Sequence, residues 1–135
     1  MRLRSFQPGE ETELWELSRQ QHAAVPVTSD SDQAHWAERL RVNQPFIVEY
    51  DHQVIGYAEC SHNGEIGHFF VRSEWHGRGV GTFLMVSLHQ YASARGVERL
   101  CVQVSHASRP FFERRGFDVD RSEEGWARMS KRLAV

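Results

Sequence analysis

The chain lacks the features of several classes of protein. It has no apolar run near the roughly 18 residues of a membrane span, and residues 1–6 lack the apolar stretch of a secretory signal peptide. Its formal net charge of −2 at pH 7 gives no support for non-specific binding to a phosphate backbone, which requires a basic face. We therefore expect a cytoplasmic protein with neither a membrane nor a nucleic acid as partner.

Cysteine is also scarce. Cys60 and Cys101 are isolated and fall in predicted strands, a pattern typical of buried thiols rather than of a disulfide or a metal pair. The eight histidines include no two that stand three or four residues apart on a predicted helix, and no Cys-x-x-Cys motif accompanies them. The sequence therefore predicts no bound metal.

The composition that remains is that of a globular protein. The 135 residues, 40% hydrophobic and 25% charged, suit a single domain over residues 1–135. Periodicity and turn signals predict the following elements: a strand at 2–6, a helix at 10–20, a loop at 25–32, a helix from Ser31 or Asp32 to Leu40, strands at 46–50, 53–60 and 65–71, a helix from 80 to Arg95, a strand at 100–104, a helix within 105–115, and a last strand at 126–133.

The most informative segment is residues 76–82, with the sequence His-Gly-Arg-Gly-Val-Gly-Thr. It follows an apolar strand and opens a long helix. The apolar residues of that helix share one face: Val80, Leu84, Leu88 and Tyr91. A strand, a glycine-rich turn and a helix N-terminus together form a cradle for phosphate, because backbone N–H groups can approach the anion closely. The segment therefore predicts a phosphorylated ligand, which the Arg78 side chain can also reach.

The order of the elements indicates the fold class. Asn63-Gly64 is a strong hairpin signal between two strands, so the sheet is antiparallel early in the chain. The strand–helix–strand unit at 66–104 is expected to form a right-handed parallel crossover. The sequence thus predicts an α+β fold with a mixed, mostly antiparallel central sheet.

Two motifs resemble those of the GNAT N-acetyltransferases. The first, from Val71 to Gly81, reads V-x-x-x-x-H-G-R-G-V-G, and the second, from Ala107 to Phe117, reads A-x-R-P-F-F-E-R-R-G-F. The resemblance implies acetyl-CoA as co-substrate, with its pyrophosphate on the backbone amides of the first motif. It also implies that the central strands splay apart and that the pantetheine arm lies in the gap. The implied cofactor-binding residues are Phe69, Phe70, Val71, His76, Gly77, Arg78, Gly79, Val80, Gly81, Thr82 and Ser105.

The chain departs from the family pattern at two positions. His76 stands where the turn usually begins with Gln or Arg, which is tolerable because backbone N–H groups do most of the binding. Phe112 stands where many members carry a Tyr whose hydroxyl protonates the departing thiolate. Ser105 or His106, just past a predicted parallel strand, can replace that acid, although each can equally serve as a cap between strand and helix.

A carboxylate or a water chain must remove a proton from the acceptor, because an amine is mostly ammonium at neutral pH. Glu65 matches a position where some family members carry the base, and Glu59 across the hairpin is a second candidate. Glu65 can instead be a polar residue that follows the Asn-Gly turn, and Glu59 can instead lie on the solvated face of a strand. His68 can relay a proton, but a strand histidine is more often packed and hydrogen-bonded.

The acceptor pocket of the family is shaped by the early helices and their loop. Trp15, His22 and Trp36 come from that region and can hold a substrate or simply pack in the core. The acceptor expected is a small-molecule or peptide amine, and a homodimer is compatible with the sequence. The arginines of the second motif are expected on a solvated helix face: Arg109, Arg114 and Arg115.

Three functions compete at this point. The first is acetyl transfer to a primary amine by direct attack in a ternary complex, with backbone amides near Val71 polarising the thioester carbonyl and no nucleophilic cysteine. The second is a non-catalytic acyl-CoA-binding or regulatory module, which Phe112 favours. The third, a nucleotide-dependent enzyme, fits the glycine turn alone and lacks the Gly-Lys-Ser/Thr ending of a nucleotide P-loop.

Overall fold

The computed structural model describes residues 1–20 and 33–133. His22, the predicted loop at 25–32 and the predicted cap at Ser31 or Asp32 lie outside the described residues. None of the described helices is both long and apolar enough to cross a bilayer. The elements are β1 (Arg2–Ser5), α1 (Glu11–Gln20), α2 (Gln33–Asn43), β2 (Phe46–Tyr50), β3 (Gln53–Cys60), β4 (Glu65–Val71), α3 (Val80–Ala94), β5 (Arg99–Ser105), α4 (Arg109–Glu113), β6 (Asp118–Ser122) and β7 (Trp126–Arg132), with 3₁₀ turns at Ser73–Trp75 and His106–Ser108.

The strands form one seven-stranded sheet in the order β1-β2-β3-β4-β5-β7-β6. Among the described strands, β4 and β5 pair in parallel and the other neighbours pair antiparallel. The helix α3 makes the crossover between β4 and β5. The predicted α+β class and the mixed, mostly antiparallel sheet are therefore confirmed.

Helices cover the sheet on two faces. On one face, α3 buries Val80, Leu84 and Leu88 completely, and Phe112 of α4 joins the same core. Tyr91 is partly buried against this core, so the predicted apolar face of α3 is confirmed. On the other face α1 and α2 pack over β2 to β4 around a second core that contains Trp36.

The strand β6 was missed by the sequence patterns. All five of its residues, from Asp118 to Ser122, are exposed, and two aspartates and an arginine replace the apolar alternation that signals a half-buried strand. The strand forms because its backbone pairs with β7 at the edge of the sheet. Charged residues on an edge strand also discourage pairing with another molecule.

The central strands separate within the sheet, as the resemblance implied. The β4–β5 pairing consists of Glu65 with Cys101 and Ile66 with Val102, and it ends there. The β3–β4 register shifts at the same level, so that Gly67 is an extra residue of β4. A gap therefore opens between the carboxyl ends of β4 and β5, beside the turn that leads into α3.

Candidate active site

The glycine turn presents free backbone donors to the end of β4. Gly77 and Gly79 have φ values of 78° and 88°, a conformation that residues with a Cβ rarely adopt. Gly79 caps α3, and the first helical hydrogen bond runs from Phe83 N–H to its carbonyl oxygen at 3.0 Å. The N–H groups of residues 80–82 precede that bond, so they face outward at the positive end of the helix dipole.

Side chains of the turn hold it in place. His76 Nε2–H donates to the Val71 carbonyl oxygen at 2.9 Å, which ties the start of the turn to the end of β4. The Arg78 guanidinium lies over the Trp75 ring, 5.3 Å from its centroid. The departure from the family pattern at His76 thus has a structural use, since its imidazole orders the turn.

Gly81 has a different role from the other glycines of the turn. A Cβ on Gly81 would lie 2.6 Å from the Phe111 ring, whereas Cβ atoms on Gly77 or Gly79 would meet open space. The absence of a side chain at Gly81 therefore lets α4 pack closely against the first turn of α3.

Arg115 is wrongly predicted as part of a solvated face. Its guanidinium lies 3.7 Å from the centroid of the Phe111 ring and donates to the Phe111 carbonyl at 2.9 Å and to Thr82 Oγ1 at 2.5 Å. Burial, and then the neighbouring Arg114, lower the pKa of Arg115 from its ordinary value. The Thr82 hydroxyl thereby accepts from Arg115, which follows α4, while the Thr82 backbone N–H stays at the N-terminus of α3.

A cleft of about 300 Å³ lies between the glycine turn and α4. Five residues predicted to bind the cofactor line it: Phe69, Val71, His76, Gly77 and Gly81. Five others were not predicted there: Trp75, Ala107, Ser108, Phe111 and Arg114. The sequence did contain a signal that Phe111 faces the cleft. Phe111 and Phe112 are adjacent in a predicted helix, and adjacent helical residues point to different sides.

Two aromatic residues do not lie where the resemblance placed them. Phe70, predicted to bind the cofactor, belongs instead to the core under α1 and α2. Its ring centroid lies 5.3 Å from that of Tyr57. Alternation along β4 explains this, because Phe69 already faces the α3 side. Phe112 is 0% exposed among Phe69, Phe111 and Phe117, so its edge does not line the cleft.

Ser105 is the last residue of β5 and His106 follows it, and neither residue lines the cleft. The Ser105 hydroxyl donates to Ser108 Oγ at 3.1 Å, and Ser108 is the residue that reaches the cleft. His106 Nε2–H donates to the Glu123 carbonyl at 2.7 Å, and Arg109 donates to its Nδ1 at 3.5 Å. Both nitrogens of His106 therefore have partners, and its ring connects the end of β5 to the β6–β7 turn.

The opposite face of the sheet carries two carboxylates. Glu65 is partly exposed and accepts from Arg128 at 2.9 Å, a hydrogen bond that raises the pKa of Arg128. Glu59 is 1% exposed, and its Oε1 lies 2.6 Å from His68 Nδ1 and 2.9 Å from Arg39 Nε. The structure thus brings the candidates Glu59 and His68 together and adds Arg39, which the sequence patterns did not identify.

The early helices supply aromatic rings to this face. Trp36 meets Trp15 edge-on, with centroids 5.2 Å apart, and meets the His68 ring edge-on at 5.0 Å. Both tryptophans are buried in the second core, as the packing alternative predicted. Trp36 nevertheless forms one wall beside His68.

The thiols fit no catalytic arrangement. Cys60 is buried, and burial raises its pKa to about 11, so its thiolate is scarce at neutral pH. Cys101 is only partly buried, contrary to the prediction of a buried thiol, and desolvation raises its pKa as well. Within residues 1–20 and 33–133, no three metal-ligating side chains converge.

The backbone of β4 turns donors toward the gap. Arg72 N–H donates to the Ile55 carbonyl of β3 at 2.9 Å. Since N–H groups alternate between the two sides of a strand, those of Phe69 and Val71 face β5, in the stretch where β5 no longer pairs with β4. An apolar cleft with free N–H groups in its wall and more N–H groups at its mouth suits an acyl thioester joined to a pyrophosphate.

Comparison with known protein families agrees with this geometry. The profile of the family described as acetyltransferase (GNAT) domain matches residues 14–128. An uncharacterized N-acetyltransferase of Methanocaldococcus jannaschii is 32% identical over 101 residues, covering 65% of this chain and 45% of that protein. The uncharacterized N-acetyltransferase YafP of Escherichia coli is 27% identical over 130 residues, covering 88% of this chain and 82% of that protein.

A solved structure shares the fold at low sequence identity. The PaiA N-acetyltransferase from Thermoplasma acidophilum, in complex with coenzyme A, superposes with a TM-score of 0.74 and 14% identity. The match covers 97% of this chain and 98% of the other. The overall fold is thus shared with a protein whose structure was solved in complex with coenzyme A.

Proposed function

The chain belongs to the GNAT acetyltransferase family, and on that premise we propose that it transfers the acetyl group of acetyl-CoA to a primary amine. Direct attack in a ternary complex is the mechanism proposed. The observation that carries it is the end of the β4–β5 pairing at Ile66 and Val102, next to the glycine turn. Acetyl-CoA supplies an acyl group activated as a thioester, and the residues of this chain do the rest.

The backbone does most of the binding in this proposal. The N–H groups of residues 80–82 hold the pyrophosphate at the N-terminus of α3. Those of Phe69 and Val71 donate to the thioester oxygen, on which negative charge develops during the reaction. Phe69 and Phe111 give the cleft apolar walls, while Arg114 places a positive charge at its rim.

Proton transfer requires side chains on both sides of the gap. The acceptor ammonium must lose a proton, for which Glu65 and Glu59 are the candidate carboxylates on the face of the sheet opposite α3. The departing thiolate gains one, and the Ser108 hydroxyl in the cleft, supported by Ser105, is the nearest candidate donor. A thiolate is a tolerable leaving group, so water can serve in its place.

A screen for free-thiol release tests the proposal. Acetyl-CoA is offered with amino acids, polyamines, aminoglycosides and peptides, and we expect thiol to appear with at least one of these amine classes. Among the residues that the structure describes, none that lines the cleft is a tyrosine, which favours a second candidate, a non-catalytic acyl-CoA-binding module. Binding of acetyl-CoA without thiol release over the whole panel would assign that function instead.

A further inference from the structure

The buried side chains of Glu59 and His68 and the partly exposed side chain of Arg39 form a polar cluster next to the gap. The Glu59 side chain is 0% exposed, and that of His68 is 10% exposed. A buried carboxylate is costly unless charged or hydrogen-bonding groups compensate it. Here Oε1 receives Arg39 Nε at 2.9 Å and His68 Nδ1 at 2.6 Å. The cluster is therefore a specific arrangement, held by three different elements.

The pairing determines where the His68 ring carries its proton. An ionised carboxylate only accepts hydrogen bonds, so Nδ1 must donate to Glu59. In the neutral ring, Nε2 then has a free lone pair, and none of the described residues forms a hydrogen bond with it. The edge-on contact with Trp36, at 5.0 Å between centroids, limits rotation of the ring.

The position of His68 in β4 brings it near the reacting bond. His68 directly precedes Phe69, whose side chain lines the cleft on the α3 face and whose N–H faces the gap. His68 itself lies on the other face, with Glu59 and Trp36. An amine that approaches the cleft from this face therefore meets the side of β4 on which His68 lies.

We propose that His68 is the group that deprotonates the acceptor amine and that Glu59 is its positioning residue. The inference rests on the proposed function. The ammonium gives one proton to His68 Nε2, the amine nitrogen bonds to the acetyl carbon as the C–S bond breaks, and the second amine proton leaves with sulfur as free thiol. His68 then returns its proton to water, so the products are amide, thiol and one proton.

Glu65 is less well placed for this step. It precedes Phe69 by four residues, roughly 13 Å along a strand, and lies where β4 and β5 still pair. Its Oε1 is also engaged by Arg128 at 2.9 Å. Glu65 therefore accepts a hydrogen bond from β7, away from the stretch where β4 and β5 separate.

The first test requires no acceptor. Long-range ¹H–¹⁵N NMR of histidine-labelled protein at pH 8 reports which ring nitrogen carries the proton. We expect His68 to carry it on Nδ1 and to lose this preference in Glu59→Gln. A proton on Nε2 of the wild-type ring would overturn the assignment, since that nitrogen would have no lone pair to accept with.

The second test compares two amines at pH 7, with His68→Asn as the variant. Asn keeps an N–H donor toward Glu59 but has no equivalent of Nε2. With ethylamine, which is almost entirely ammonium, we expect kcat/KM to fall by about 10²-fold or more. With trifluoroethylamine, which is already neutral, the loss should be a few-fold at most. Exposed His62 on the same hairpin provides the control, and His62→Asn should change neither rate.

The outcomes separate this inference from the proposed function. Equal losses with both amines would show that His68 is structural, while acetyl transfer by the wild type would still stand. A loss confined to Glu65→Gln would assign the base to Glu65. A wild type that binds acetyl-CoA and acetylates no amine overturns both proposals. Glu59→Gln should also lower kcat/KM more for ethylamine than for trifluoroethylamine, by a smaller factor than His68→Asn does. A residue with only a structural role would lower kcat/KM equally for both amines.

Discussion

The guanidinium of Arg39 occupies the space that a Cβ on Gly67 would need. A Cβ built there overlaps Nε and Nη2 of Arg39 and also Oε1 of Glu59. The φ of Gly67 is not positive, so its backbone conformation does not require glycine. The extra residue of β4 is a glycine because a charged side chain from α2 crosses over it.

Gly67→Ala should therefore destabilise the fold by about 1–3 kcal/mol, the usual cost of overpacking a closely packed site. In an Arg39→Ala background the same change should cost less, because only one of these overlaps remains, that with the Glu59 carboxylate. Urea unfolding of the four proteins in this cycle measures both values. Equal losses in the two backgrounds would show that the clash with Arg39 is not the cause.

Phe112→Tyr should lower stability rather than restore a catalytic acid. Phe112 is fully buried among aromatic rings, so an added hydroxyl would lose water without gaining a partner, at a cost of about 1–3 kcal/mol. Phe111→Tyr, in a residue that lines the cleft, is the matched control and should be nearly neutral. Thermal unfolding compares them. An unchanged Tm and a raised kcat in Phe112→Tyr would place that side chain at the leaving sulfur.

The glycines of the turn should separate into two groups. Gly79→Ala should weaken acetyl-CoA binding, because a residue with a Cβ resists the φ of 88° that aims the N–H groups of α3. Gly81→Ala should mainly lower Tm, because its Cβ would meet the Phe111 ring at 2.6 Å. Calorimetric titration and thermal unfolding of each variant distinguish these effects. Equal changes in affinity and stability for both would contradict the division.

Acid should remove the contribution of Glu10 to stability. The Arg4 guanidinium, which donates to Glu10 at 2.6 Å, holds the pKa of that carboxyl below its usual value. A lowered folded-state pKa means that the contribution is present above the unfolded pKa and is lost as pH falls through the folded one. Glu10→Gln should therefore cost about 1 kcal/mol at pH 7 and little near pH 2.

The measurement is the unfolding free energy from pH 2 to pH 7. Exposed Glu13, in the first turn of α1, supplies the control, and Glu13→Gln should change stability little over the whole range. A cost of Glu10→Gln that is independent of pH would mean that the carboxylate charge does not stabilise the fold.

The sequence was sufficient where local chemistry decides the structure. Residues 76–82 combine glycines with a helix start, and the turn and α3 follow from that pattern alone. The separation of β4 from β5 came instead from the family resemblance, because no local pattern reports where the pairing of two distant strands ends.

The sequence was insufficient where partners are distant in the chain. Glu59 and His68 were each identified as candidates, but the contact that makes them a pair depends on the β3–β4 register and its bulge. Arg39 reaches them from α2, 20 residues before Glu59, and a surface arginine gives no signal of such a contact. The prediction for Phe70 was wrong because consecutive residues of β4 were all assigned to the cofactor. Side chains alternate between the two faces of a strand, so Phe69 and Phe70 point in opposite directions.

Transfer of an acetyl group from the gap between β4 and β5 to an amine is the activity that we propose for this chain. Isotope-labelled acetyl-CoA, offered with the best amine from the thiol-release screen, tests it most directly by mass spectrometry of the products. We predict that the label appears on the amine nitrogen in step with free thiol, in amounts that depend on the enzyme. Label found only as free acetate, or left entirely on acetyl-CoA that the protein demonstrably binds, would contradict the claim.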